Sequence, residues 1–164
     1  MSSVDELLAG SALALTEARL LLGHALGVQA PWIVAHGRDP VEDSDARAVE
    51  ALFSRRRAGE PIAYLTGERE FFGLPLLVNP SVLIPRPETE LLVEQVLALV
   101  AGRSRPRILD LGTGSGAIAV AVAHERPDAD VWATDTSADA LEVAAANAAR
   151  QAVSVRFVRS DWLD

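Results

Sequence analysis

The sequence predicts an α/β protein: a small helical domain, then a β-hairpin, then the first half of a parallel sheet. Three observations carry this. Apolar residues recur at helical spacing through the first 60 positions. Residues 68–84 change to extended apolar runs broken by Gly and Asn-Pro. From residue 87 onward, helix and strand patterns alternate, and strands separated by helices of this length imply a parallel sheet with right-handed crossovers.

In order along the chain, Ala18, Leu21, Leu22 and Ala25 form one helical stripe, with Gly27 where a helix stop belongs. A second helix is expected from Ser44 as N-cap to about Arg57, with Ala46, Val49, Leu52 and Phe53 inward and Gly59-Glu60-Pro61 ending it. Arg55, Arg56 and Arg57 at its end read as a solvated basic face next to the helix dipole, and Trp32 reads as packing for the helical domain. Phe71-Phe72, Gly73 and Leu74 to Val78 make the hairpin, expected as a linker between 1–67 and 85–164. A helix carrying Leu91, Leu92, Val96, Leu97 and Leu99 then leads to a strand, Arg107 to Leu111. The turn Gly112 to Gly116 opens a helix from Ala117 to His124, Val131 to Thr134 is the second strand, and Ser137 caps a helix to about Arg150 with Ala140, Leu141, Ala144 and Ala148 buried. Val155 to Val158 is the third strand.

Composition excludes several classes. With 164 residues, 49% of them hydrophobic and 23% charged, the chain can bury a core and is not a disordered or fibrous sequence. It contains no cysteine, which removes disulfides, thiolate metal sites and thiol nucleophiles. No run of 18 apolar residues and no basic-then-apolar leader is present, so no membrane partner is expected and the cytoplasm is the expected compartment. A formal charge of −8 argues against direct binding to a nucleic-acid backbone. The basic residues are all arginine, so lysine Schiff-base chemistry and a Walker-type phosphate loop are out of reach. His24, His36 and His124 are scattered without ligand spacing, and no metal is expected.

The strongest chemical signal is Ile108-Leu109-Asp110-Leu111-Gly112-Thr113-Gly114-Ser115-Gly116. A strand running into three alternate glycines and then a helix lets backbone approach a ligand at the carboxyl end of a sheet. Its spacing also satisfies the dinucleotide pattern through Ala117, so an NAD-dependent oxidoreductase is a rival. Asp110 opposes that rival, because its carboxylate would repel a pyrophosphate while suiting the cationic ammonium and sulfonium of S-adenosyl-L-methionine. Asp135, ending the second strand, can accept bonds from both hydroxyls of a ribose under either reading.

Four runs in this sequence, Pro61-Ile62-Ala63-Tyr64-Leu65-Thr66-Gly67, Phe71-Phe72-Gly73, Leu83-Ile84-Pro85-Arg86-Pro87-Glu88-Thr89-Glu90-Leu91-Leu92-Val93 and Asp110 to Gly116, together resemble the HemK/PrmC family. The resemblance implies a Rossmann-like class I methyltransferase sheet behind an amino-terminal substrate-recognition domain. It also implies transfer of a methyl group from S-adenosyl-L-methionine to the glutamine side-chain nitrogen in the Gly-Gly-Gln motif of bacterial class 1 peptide chain release factors, a step tied to translation termination. Pro87-Glu88 after Pro85-Arg86 differs from the sister family that methylates a ribosomal protein, where Ser-Pro usually follows Pro-Arg. By resemblance, Gly112, Thr113, Gly114, Ser115 and Gly116 take the methionine end of the cofactor, Asp135 the ribose, Trp162 a further contact and Asp161 the adenine amino group. Phe71, Arg86, Pro87 and Glu88 are expected at the floor and rim of the substrate site.

One departure qualifies the expectation. The family's Asn-Pro-Pro-Tyr, which is thought to aim the amide nitrogen at the methyl group, does not occur in these 164 residues; Asn79-Pro80 lacks the second Pro and the Tyr. Such a catalyst works mostly by positioning its acceptor. The sequence therefore assigns no catalytic residue, reads as the amino-terminal part of an enzyme and is expected not to turn over alone. The alternative of a different class is a non-catalytic fragment that binds cofactor or release factor. Cutting the sheet after its third strand is expected to leave the edge of Arg107 to Leu111 open to self-association.

Overall fold

The computed structural model describes residues 1–162 and divides into two compact units, the first Met1–Thr66 and the second beginning at Gly67. Each has its own core.

The first unit is five helices: α1 (Val4–Gly10), α2 (Leu15–Leu26), α3 (Ala30–Ala35), α4 (Asp43–Arg57) and α5 (Ile62–Thr66). α1 starts on a reciprocal capping box. The Ser3 hydroxyl accepts the Glu6 N–H at 3.2 Å and the Glu6 carboxylate accepts the Ser3 N–H at 2.8 Å. α2 stops where Gly27 turns left-handed, at φ +65. α4 begins at Asp43, one residue before the expected cap, and Ser44 lies inside its first turn. No side chain caps this end; Asp43 and Asp45 instead place negative charge against its exposed N–H groups.

Val4, Ala18, Leu21, Leu22, Ile33, Val41, Val49, Phe53 and Leu65 form the core of this unit. The basic run at the end of α4 lies largely at the surface, as expected, and carries ion pairs. Arg55 pairs with Glu60, Arg56 with Glu17 and Arg57 with Glu50, and the last two pairs tie α4 to α2 and to itself. Trp32 packs within this unit at its surface: it stays 36% exposed and stacks on His36 with ring centroids 4.3 Å apart.

The second unit opens with the hairpin, β1 (Glu68–Phe71) antiparallel to β2 (Leu74–Leu77). Phe72 and Gly73 form its two-residue turn with φ +52 and +73, the left-handed pair that matches strand twist. The hairpin is not a linker. Phe71, Leu74 and Leu76 are buried in the same core as Val93, Val120 and Val131. A 3-10 turn (Pro87–Thr89) then enters α6 (Glu90–Val100), where Val93 and Val100 are buried while Leu91, Leu92 and Leu99 are more than half exposed.

β3 (Arg107–Leu111), β4 (Asp130–Asp135) and β5 (Arg156–Arg159) form a parallel sheet in the order β3-β4-β5, connected by α7 (Ala117–Glu125) and α8 (Ala138–Arg150). α7 buries Ala117 and every residue from Ala119 to Ala123. Ser137 caps α8 as expected, its hydroxyl accepting the Ala140 N–H at 3.2 Å. The buried stripe of α8 differs from expectation in containing Val143 and Asn147, with Leu141 only half-buried. β3 pairs only with β4 among the described residues. Beside it, Arg107, Ile108, Leu109 and Trp132 line an open hollow of ≈ 340 Å³, and Leu109 is 49% exposed.

Candidate functional site

β3 delivers Asp110 and Leu111 to the carboxyl edge of the sheet, and the chain then turns through Gly112, Gly114 and Gly116 at φ +70, +56 and +79. These left-handed conformations suit glycine and strain other residues. Gly116 has a second reason: a Cβ there would lie 2.9 Å from the Cβ of Ala144 on α8, so its absence lets loop and helix close. The residues between the glycines point inward. Thr113 and Ser115 are buried, and the Thr113 hydroxyl donates to Asp110 Oδ2 at 2.7 Å. The Thr113 N–H donates to the Thr134 carbonyl at 2.9 Å, which keeps the loop attached to the end of β4.

Asp135 closes the arrangement from β4. Its Oδ2 accepts the Gly114 N–H and its Oδ1 accepts the Ser137 N–H, both at 2.9 Å. Each oxygen is thereby fixed by backbone and still has lone pairs for a second donor. The neighbouring Asp110 is held above the usual carboxylate range, first by burial and then by the charge of Asp135, against the bonds from the Thr113 hydroxyl and the Ala119 backbone.

Gly112, Asp135, Thr136, Ser160, Asp161 and Trp162 line one cleft of ≈ 190 Å³. Four residues expected to touch a cofactor therefore meet, and the Ser160 N–H donates to the Asp135 carbonyl at 3.1 Å to hold the far wall. Trp162 is 72% exposed, an aromatic face offered to solvent at the cleft. Thr136 and Ser160 were not expected; each is a small polar residue just beyond a strand end, a place that by itself carries no signal.

Of the residues expected at the substrate rim, Phe71 has no exposed surface and serves the core, so it offers a substrate nothing to touch. Arg86, Pro87 and Glu88 are exposed on the 3-10 turn and its approach, and they do not line the cleft. Glu90, in the same motif, serves the fold. Its Oε1 accepts the Phe72 N–H at 3.0 Å, anchoring the strained hairpin turn.

The parallel sheet, the glycine turn and the carboxylate ending the second strand are those of a Rossmann-like domain, and residues 87–164 match the family model of the methyltransferase small domain. Residues 4–67 match the model of the PrmC N-terminal domain. The two matches stand in the sequence order expected from the resemblance to the HemK/PrmC family, a PrmC N-terminal domain before a methyltransferase small domain. The chain is 52% identical over 164 residues to the release factor glutamine methyltransferase of Bordetella pertussis, covering 100% of this chain and 61% of that one. The enzyme of the same description from Burkholderia pseudomallei is 52% identical over 167 residues (98% and 59%), and that from Escherichia coli K12 is 49% identical over 147 residues (89% and 53%). The chain thus spans between about half and three fifths of the length of these relatives. Among the described residues, no helix is long and apolar enough to cross a membrane.

Proposed function

We propose that the second unit binds S-adenosyl-L-methionine and serves the methylation of a glutamine side-chain nitrogen in the Gly-Gly-Gln motif of class 1 peptide chain release factors in the cytoplasm. The observation that carries the reading is Asp135: a carboxylate locked by the Gly114 and Ser137 N–H groups, at the wall of a cleft shared with Gly112, Asp161 and Trp162. When bound, the cofactor supplies an electrophilic methyl group on a sulfonium.

The residues present fit such a group. Gly112, where nothing lies within 4 Å of a Cβ position, leaves backbone accessible at the end of β3. Asp135 would take the ribose hydroxyls, the loop with Asp110 behind it the cationic amino-acid end, and Trp162 and Asp161 the base. The relatives' names support the release factor as acceptor, and the PrmC-type helical unit supports a role in recognising it. A second reading, a polypeptide that holds cofactor without turnover, is favoured by the absence of Asn-Pro-Pro-Tyr from the 164 residues.

Calorimetric titration tests the cofactor. The chain is expected to bind S-adenosyl-L-homocysteine and not NAD; binding of NAD alone would overturn the proposal.

A further inference from the structure

Asn147 is completely buried on α8, in a stripe otherwise made of Ala and Val, and it makes three hydrogen bonds. Its Oδ1 accepts the Leu77 N–H at 2.6 Å, and its Nδ2 donates to the Leu77 carbonyl at 2.9 Å and to the Ser115 carbonyl at 2.9 Å. Both amide hydrogens are used, and the network fixes the orientation: a flipped amide would set NH2 against an N–H and oxygen against two carbonyls. One side chain thus closes a two-bond clasp on hairpin strand β2 and a third bond on the glycine loop.

Its neighbours on the helix each hold one of these two elements. One turn earlier, Ala144 packs under Gly116 of the loop. One turn later, Arg150 pairs with Glu68 at 2.6 Å and Gln151 donates to the Pro75 carbonyl at 2.8 Å, both on the hairpin. Asn147 touches loop and hairpin together. From Leu77 the chain passes through buried Val78 and Val82 to the exposed turn carrying Arg86, Pro87 and Glu88.

We propose that Asn147 is a positioning residue that couples the glycine loop to the hairpin, so that filling the loop with cofactor steadies β2 and the segment leading to Arg86-Pro87-Glu88. The physical link is polar satisfaction. A ligand that holds the loop fixes the Ser115 carbonyl and with it the Asn147 amide. Opening the Leu77 clasp then leaves a donor and an acceptor of the completely buried Asn147 side chain without their partners. The coupling stands on geometry alone; its use in methyl transfer rests on the cofactor reading above.

Amide hydrogen exchange of the 164-residue chain, followed residue by residue, tests both halves. In the ligand-free arm, R150A/Q151A loosens the hairpin without touching the loop. Exchange at Gly114 and Gly116 is expected to quicken at least about threefold in an otherwise unchanged chain, and to stay unresponsive in an N147A background. In the liganded arm, saturating S-adenosyl-L-homocysteine is expected to slow exchange at Leu77 at least about fivefold with Asn147 present, and to protect only the loop in N147A. A thermal melt of each variant separates this from general loosening, which would speed α6 and α7 as well.

Loop amides indifferent to R150A/Q151A, or hairpin protection by ligand that persists in N147A, would overturn the coupling. Should N147A not fold, the response of Gly114 and Gly116 in the Asn147 chain decides alone. Coupling in the ligand-free arm without any binding of S-adenosyl-L-homocysteine would uphold the positioning role and overturn the cofactor reading.

Discussion

Asp135 holds Gly114 in place: its Oδ2 accepts the Gly114 N–H at 2.9 Å, from the end of one strand to the turn that follows another. The glycine turn is permissive by composition, and this bond selects one of its conformations. The residue proposed to recognise the ribose is thus also a brace for the loop beside it.

Replacing Asp135 with Ala removes a carboxylate that would take charge-assisted bonds worth about 1.5 to 3 kcal/mol each. Affinity for S-adenosyl-L-homocysteine, measured by calorimetry, is expected to fall at least about tenfold. D135N keeps one acceptor and is expected to fall between the two. Equal affinity in all three chains would remove Asp135 from the site.

Gly116→Ala combines a φ of +79 with a Cβ 2.9 Å from the Ala144 Cβ. Destabilisation of about 1 to 3 kcal/mol in urea unfolding is expected. Adding Ala144→Gly relieves the clash but leaves the backbone strain, so the double variant should recover only part of the loss. Full recovery would mean that contact, not conformation, dictates glycine here.

Two aspartates are expected to shape stability against pH in opposite senses. Asp128 is lowered to about 2, chiefly by its bond with Arg126. Its contribution is present above its ordinary pKa of 3.8 and is lost as pH falls through about 2, so Asp128→Asn should flatten the acid limb of the urea midpoint. Asp110 is raised by burial, so its ionised form costs stability. The contribution of its neutral form is complete below 3.8 and disappears as pH rises through the raised value. Asp110→Asn should therefore gain stability at neutral pH. A matching loss would show that the carboxylate's bond to Thr113 outweighs its desolvation.

Incubation of the 164-residue chain with a release factor and labelled S-adenosyl-L-methionine is expected to transfer no methyl group above background, since Asn-Pro-Pro-Tyr is not among its residues. Label recovered on glutamine at a substantial rate would show that the amide is positioned by other groups.

Among the described residues one edge of β3 is unpaired, with Leu109 49% exposed beside it, and the 164-residue chain is expected to self-associate there. Sedimentation velocity should show association rising with concentration and reduced in Leu109→Arg. Monomers throughout the micromolar range would dismiss the edge as an interface.

Elements whose signals are local could be read from the sequence alone. β3 runs Arg107–Leu111 as its apolar pattern predicts, α8 starts behind the Ser137 cap, and the glycine turn follows its strand. The signals there are backbone chemistry: a hydroxyl that satisfies an N–H, a residue without Cβ, a run of residues that favour extension. The three strands of the parallel sheet were legible for this reason, with β5 displaced by one residue; Gly112, Asp135, Asp161 and Trp162, named from the turn, the strand end and the family resemblance, line one cleft.

Which face of an element is covered was not legible, because that is set by partners distant in sequence. Leu91, Leu92 and Leu99 share helical spacing with Val93 and Val100, yet only the valines meet the core. Phe71 looked like a site residue and is core; in the basic run read as a solvated face, Arg56 is paired with Glu17, 39 residues away. Asn147 is the sharpest case. The sequence pattern singled out only its neighbours Ala144 and Ala148, and only the arrival of Leu77 and Ser115, 70 and 32 residues away, makes burying its amide favourable. Hydrogen-bond satisfaction at that distance is a property of the folded chain, and it decided where the polar centre of this domain lies.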